Sequence, residues 1–493
     1  MQVKSMHFKA TSSAKLNDAV LQTALKKAKA KFVDGRAAAV AEIDIWQDIR
    51  THAAALRDGV IANLDAYLVE FEANATARGA VVHWAETAEE ANSIIVDLAK
   101  KNAVKIVTKS KSMVSEEISL NDALEAVGVE VVETDLGEYI LQLAKEPPSH
   151  IVAPAVHKSK EQVADLFEAA HHRPRTVDIP SMTREAREVL RSKFLNADMG
   201  ISGANFLIAE TGTTLTVTNE GNADLVTTVP RIHCVVTGIE KVIPTLEDFA
   251  TLIRLLPRSA TGQSAANYLT LTTGTKQPGD LDGPEQMHIV LIDAGRTKLV
   301  GSDMKEMLRC IRCGACMNHC PVYQNVGGHA YGWVYPGPMG AVLTPTYVGI
   351  EQAGDLPNAA TFCGECQVVC PVKIPLPDLM RKWRERQFDQ ALRPFSERIS
   401  IVVWSALATR PTLYAFSTRI VARVAAWMGG KNKRITSLPG LDGWTDGRDM
   451  PAPAGKTFRE RYRARQVGQV GRVGRVGDVG AADAAGQRSK PTP

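Results

Sequence analysis

The sequence predicts an α/β protein: an open, mainly parallel sheet, then a cysteine-rich helical module, then a helical C-terminal region. Three observations carry this. Short β runs alternate with amphipathic helical segments between residues 80 and 292. Seven of the eight cysteines fall between Cys310 and Cys370. From Arg381 to Arg434, twelve Lys/Arg stand against three Asp/Glu on apolar helical stretches.

In chain order, Ala14–Lys31 reads as a mildly basic surface helix. From about 34 to 78, Ile43, Trp46, Ile49, Ala53 and Leu56, then Val60, Leu64, Tyr67 and Leu68, recur at helical spacing. Residues 80–84 are a β run, and Thr87 caps a helix over Ala88–Lys101. Strands follow at Lys105–Thr108, Glu130–Glu133 and His150–Val152, with helices at Leu120–Val127, Lys160–Ala170 and Thr183–Leu195. Two strands are expected within Gly203–Leu215 about a glycine turn, then a strand at Arg231–Gly238, a helix at Leu246–Leu256 and a closing strand at His288–Ile292. The chain divides into an N-terminal helical region (1–78), an α/β domain (79–295), the cysteine module (296–390), a basic helical region (391–440) and a low-complexity, disordered tail (441–493) rich in Val-Gly repeats.

At 493 residues there is room for two or three domains, and 45% hydrophobic with 23% charged residues is ordinary globular composition. A net charge of +4 gives no reason to expect nucleic acid as a partner. Cysteines gathered in one module argue against a disulfide framework and fit a reducing compartment. No apolar run reaches the length of a membrane span, and the N-terminus lacks the apolar core of an export signal. The expected location is cytoplasmic, at most peripheral at the inner face of the membrane.

The cysteine runs read Cys310-Ile-Arg-Cys313-Gly-Ala-Cys316-Met-Asn-His-Cys320-Pro321 and, after 42 intervening residues, Cys363-Gly-Glu-Cys366-Gln-Val-Val-Cys370-Pro371. C-x2-C-x2-C-x3-C-P is the iron–sulfur run of bacterial ferredoxins, whose fourth cysteine ligates the other cluster. Paired C-x2-C motifs also build zinc sites, but a four-cysteine run closed by proline does not have zinc-ribbon spacing. In the second run the first position falls at Ala360, leaving seven thiolates for two clusters. The crossed pattern gives Cys310, Cys313, Cys316 and Cys370 to the first cluster and Cys320, Cys363 and Cys366 to the second. The second can be [3Fe–4S], or [4Fe–4S] with a non-cysteine ligand.

Four further features were weighed. Lys109-Ser110-Lys111-Ser112 follows a strand, where open α/β sheets bind ligands, and is either an anion site or an ordinary basic loop. Glu210, in Glu-Thr-Gly-Thr, is a solvated turn carboxylate or a reactive one. Cys234 sits in an apolar strand and is expected to be buried and inert. His319 tunes a cluster or stands by. No dinucleotide fingerprint, Walker loop or haem-attachment motif is present. A cluster passes single electrons, so two-electron chemistry would need a partner with its own centre. The basic helices after residue 381 either pack on the module or dock a partner or a membrane surface.

The segments 109–117 and 200–213 and both cysteine runs, including Ala360 in place of a cysteine, resemble the lactate utilisation protein B family over about residues 43–434. The resemblance implies an α/β domain similar to ribose-5-phosphate isomerase and CoA-transferase-like proteins, then an α-helical ferredoxin with two clusters, expected as [4Fe–4S]. It implies action with a cysteine-rich A-type partner and a C-type α/β partner in oxidising L-lactate to pyruvate, with electrons leaving toward a peripheral-membrane or quinone-reducing partner. The seven cysteines carry over one by one; no catalytic residue does. Rival readings are a redox- or ligand-sensing binding module without turnover, and an acyl- or CoA-transferring α/β domain using Glu210.

Overall fold

A computed structural model describes residues 2–438, 445 and 448–473. Residues 1–390 form one unit and residues 391–493 a second.

The first unit is built on a six-stranded sheet of β1 (Ala80–Ala85), β2 (Ile106–Lys109), β3 (Glu130–Glu133), β4 (Met199–Ser202), β7 (Ile232–Gly238) and β10 (Gln286–Ile292), in the order β1-β10-β7-β4-β2-β3. Every pairing is parallel, as the strand–helix alternation predicts. Alternation along each strand feeds two cores. Cys234, Val236, Val290 and Ile292 pack with Ile95, Leu98, Leu120 and Leu124 of the helices on one face. Val235, Ile289 and Leu291 pack with Val60, Leu64, Leu68 and Phe71 on the other. Both faces are thus covered, which is what a parallel sheet requires.

A second sheet holds β5 (Phe206–Ile208), β6 (Thr213–Thr218), β8 (Val242–Ile243) and β9 (Tyr268–Thr272), in the order β8-β5-β6-β9. β5 and β6 form the hairpin expected about Gly212. At Gly212, φ is +67° and a Cβ would lie 2.2 Å from the Ala75 nitrogen, so only glycine fits the turn.

Several expectations are corrected. His150–Val152 is not a strand. The buried His150 ring accepts from the Val152 and Ala153 N–H groups, both at 3.0 Å, and its Nε2 meets Asn318 Oδ1 at 2.7 Å. A side chain here takes the donors that a strand would pair. β4 escapes the apolar pattern because Gly200 must admit the Val226 carbonyl, 1.8 Å from where a Cβ would stand. The helix expected to end at Leu256 runs over Leu246–Thr261, with Pro257 inside it and Gly262 in left-handed conformation after it.

The N-terminal helices are not a surface appendage. Leu21 and Leu25 belong to the same core as Val326, Tyr331 and Leu343 of the cysteine module. Trp46, Ile49 and Ala53 join them from the helix Trp46–Ala62. Ser5 donates to the Tyr331 carbonyl at 2.8 Å, and Gln22 to that of Asn325 at 2.7 Å.

The second unit contains the helices Phe395–Ala408 and Pro411–Met428, joined by a bend of 114°. Its last helix, Phe458–Val473, stands where the sequence suggests a disordered tail. Thr457 caps it, bonding the Glu460 N–H at 3.3 Å while Glu460 accepts from the Thr457 N–H at 2.8 Å. The rest of the expected tail, 441–444, 446–447 and 474–493, lies outside the described residues. Among the described residues no single helix is long and apolar enough to cross a membrane, although the bent pair meets that length and composition together.

Candidate iron–sulfur site and adjoining cavity

The two cysteine runs fold alike, each position of one matched fifty residues on in the other. Arg312 and Phe362 have φ of +59° and +56°, and Gly314 and Gly364 have +77° and +85°. Each glycine then opens a single helical turn, Ala315–Asn318 and Glu365–Val368. The turn falls between Cys313 and Cys316 in the first run and between Cys363 and Cys366 in the second.

All eight cysteines are free thiols. Cys313, Cys320, Cys366 and Cys370 are buried, Cys310 and Cys316 half-buried and Cys363 exposed. Burial pushes the Cys313 thiol up to about 12, and the neighbouring Cys370 and Cys310 add to it. Burial also raises Cys366 to about 12, with help from Cys320 and Cys363. Cys370 rises to about 11 by burial and proximity to Cys310. Cys320 rises by burial, with Cys363 as its sulfur neighbour. Cys316, raised by burial, also feels Cys310 and Cys313, then Cys366 and Cys370. The sulfurs of the two runs thus lie close together, Cys370 of the second run near Cys310 and Cys313 of the first, and Cys366 near Cys316 as well as Cys320 and Cys363. The buried thiols Cys313, Cys366 and Cys370 resist ionising alone and fit a positively charged metal centre, which favours thiolates.

Three buried arginines from the N-terminal helices hold the second run and its surroundings. Arg36 donates to the Val369 carbonyl at 2.9 Å. Arg50 donates to Cys370 at 2.6 Å and Val368 at 2.7 Å. Arg57 donates to Val242 at 2.9 Å, Leu308 at 3.0 Å and the Glu240 carbonyl. Sequence periodicity marks their helices but carries no signal for these long-range contacts. His319 bonds its Nδ1 to the Ala315 carbonyl at 2.9 Å and has no hydrogen bond to a thiol among the described residues.

A cavity of about 720 Å³ opens beside the first run. Arg312 and Cys313 line it, as do Ser110–Val114 after β2 and Gly203–Asn205 after β4. β2 leads on to its neighbour β3 on one side, whereas the adjacent β4 leads to its neighbour β7 on the other. The cavity therefore lies at the switch point, outside the carboxyl ends of the strands.

The Lys109–Ser112 segment divides here. Lys109 turns into the core and pairs with Glu133 at 2.7 Å and Glu116 at 2.8 Å. Burial disfavours its charge, but the two carboxylates outweigh that and raise its pKa. Ser112 caps the helix Met113–Glu117 through the Ser115 N–H at 3.2 Å. Ser110 and Lys111 line the cavity. Glu210 is not a cavity residue: it is exposed and accepts from the Leu246 N–H at 2.6 Å, at the start of the helix that follows. Cys234 is fully buried, and burial raises it to about 12, the inert thiol its strand implies.

A parallel α/β sheet joined to two matched cysteine loops defines an iron–sulfur protein with an appended α/β domain. Residues 68–292 match the LUD domain, 306–374 the 4Fe-4S dicluster domain, and 382–467 the family described as lactate utilisation protein B, C-terminal. The chain is 45% identical to lactate utilization protein B of Lysinibacillus sphaericus, over 95% of this chain and 99% of that one. It is 44% identical to those of Geobacillus kaustophilus (88% and 91%) and Shouchella clausii (92% and 95%). The chain belongs to the lactate utilization protein B family.

Proposed function

We propose that the chain is the iron–sulfur electron-transfer subunit of a multi-protein system oxidising L-lactate to pyruvate. The observation that supports it most directly is the gathering of seven thiols by two matched loops beside a cavity in the α/β domain. Cys310, Cys313, Cys316 and Cys370 would hold one cluster, and Cys320, Cys363 and Cys366 the other. Bound clusters supply one-electron transfer, with [4Fe–4S] as the expected type. Arg36 and Arg50 donate to the Val369, Val368 and Cys370 carbonyls and fix that loop. Lactate gives up two electrons and a cluster passes one, so a partner with its own centre is needed; the family resemblance implies a cysteine-rich A-type protein and a C-type α/β protein in that system.

The test is anaerobic purification with iron, sulfide and EPR analysis, followed by addition of L-lactate with and without both partners. About eight irons per chain and clusters reduced by lactate once the partners are present are expected. Zinc in place of iron, or clusters that lactate never reduces in any combination, would leave only a sensing or binding module.

A further inference from the structure

Three residues lining the cavity carry buried polar atoms with no hydrogen-bond partner among the described residues: Ser110 Oγ, Lys111 Nζ and Asn222 Oδ1. Such atoms are costly unless something satisfies them. The carboxylate nearest the Lys111 ammonium, Glu138, stands at 3.7 Å, beyond hydrogen-bonding distance. The Asn222 amide has its orientation set by a chain of bonds. The Thr134 hydroxyl donates to the Lys109 carbonyl at 2.9 Å, so its oxygen accepts from Asn222 Nδ2 at 3.1 Å. The Asn222 oxygen is thereby left as an acceptor. The unpartnered atoms of the lining are thus two donors, one of them cationic, and one acceptor; Asp135 and Glu220 also line the cavity. Lys241, which has no hydrogen bond or salt bridge among the described residues, also lines the wall, as do Lys31 and Arg312.

We propose that this cavity binds a 2-hydroxycarboxylate, its carboxylate on Ser110 and Lys111 and its hydroxyl donating to Asn222 Oδ1. An anion alone would leave the Asn222 acceptor empty; a neutral polyol would leave the ammonium with only Glu138, at 3.7 Å, as a counter-charge. The volume exceeds that of a three-carbon acid, so the polar atoms, not the walls, do the selecting. Cys313 and Arg312 line the same space, which puts the ligand beside the first cysteine loop. The inference rests on the lactate-utilisation reading and goes further in assigning hydroxy-acid binding to this subunit and this cavity.

The experiment measures binding of L-lactate, propionate and inorganic phosphate to the full, cluster-loaded chain by calorimetry, without the partners. L-lactate is expected to bind about tenfold or more tightly than propionate, which lacks the hydroxyl. Lys111→Met is expected to weaken L-lactate by at least about tenfold, and Asn222→Ala to abolish the preference over propionate while iron content stays unchanged. The comparison of lactate with propionate on the unmodified chain stands even where a variant fails to fold. Phosphate binding more tightly than L-lactate would overturn the proposal in favour of a phosphorylated ligand. Absence of saturable lactate binding, with clusters still reduced when partners and lactate are added, would overturn it and leave the electron-transfer reading intact. No binding and no reduction would remove both.

Discussion

Arg296 donates two hydrogen bonds to Glu117, at 2.9 and 2.8 Å, with both side chains almost wholly buried. The same guanidinium reaches Glu240 at 2.7 Å, and Tyr335 of the cysteine module bonds Glu117. Glu240 also faces Arg312, at 3.4 Å, next to Cys313. The pair therefore ties the helix behind the cavity loop to the loop that carries the first cysteines. Burial alone would raise the Glu240 carboxyl, but Arg296, Lys241 and Arg312 outweigh it and hold it at about 2. Removing one partner strands buried charge. Arg296→Met is expected to cost about 3–5 kcal/mol, read as a fall in the thermal midpoint of the cluster-loaded protein. An unchanged midpoint would show the network to be dispensable.

Cys370→Ser separates crossed from uncrossed ligation. It lies in the second run, yet its sulfur neighbour is Cys310. The variant is expected to lose about half the iron and the EPR signal of the cluster held by the first run. Cys363→Ser is expected to lose the other signal, and Cys234→Ser neither. Loss of one common signal in Cys370→Ser and Cys363→Ser would mean that each run ligates its own cluster.

The cavity should weaken as an anion site in alkali. Burial raises the Glu138 carboxyl to about 8, against the pull of Lys111. Below that pH a neutral Glu138 leaves Lys111 to the ligand; above it the carboxylate competes for the ammonium. Burial also brings Lys241 down to about 8, so its charge is lost over the same range. Glu220, raised to about 7 by burial and Asp135, adds negative charge to the wall as it ionises. Glu116, Glu133 and Asp135 also face Glu138 and favour its neutral form. All these changes point one way: affinity for L-lactate should fall as pH rises through about 8, measured by calorimetry across that range. For stability the sign is the same. Native Glu138 keeps a proton that the unfolded chain loses above its ordinary 4.5, so its contribution declines as pH climbs from there to about 8. An affinity that rises with pH would exclude Lys111 as the anion's partner.

What could be read from the sequence was local. Cysteine spacing is a property of a few adjacent residues, and the strand–helix alternation records burial on each face of the sheet. Lys109 and Lys111 are two residues apart, and only the fold reveals that one is consumed by Glu116 and Glu133 while the other is left open. Arg36, Arg50 and Arg57 look in sequence like solvated positions on helices, because their acceptors are backbone carbonyls hundreds of residues away. Asn222 gave no signal at all: its role as an acceptor depends on Thr134 and Lys109, which reach it only through tertiary packing. β4 was hidden for a related reason, Gly200 being a small residue required by a neighbour's carbonyl.

The bent helix pair of the second unit calls for a test of membrane attachment different from the one its charges suggest. Arg419 and Arg423 lie 3.6 and 3.8 Å from Glu460, so reversing their charge would disturb that unit's own packing. Its exposed side chains are instead large and apolar: Trp404 is 66% exposed, Phe416 61% and Trp427 81%. Apolar rings with arginines nearby suit the boundary of an anionic membrane, where rings enter the acyl region and guanidinium groups meet headgroups. The full chain is therefore expected to sediment with vesicles containing anionic lipid. Each of Trp404→Ser and Trp427→Ser should lower the partition coefficient by about tenfold, the order expected for losing one buried aromatic side chain. Iron content should stay constant, which separates loss of attachment from loss of folding. Equal sedimentation of the double variant and the unmodified chain would assign this face to a protein partner instead, because a lipid surface cannot hold the pair without those rings.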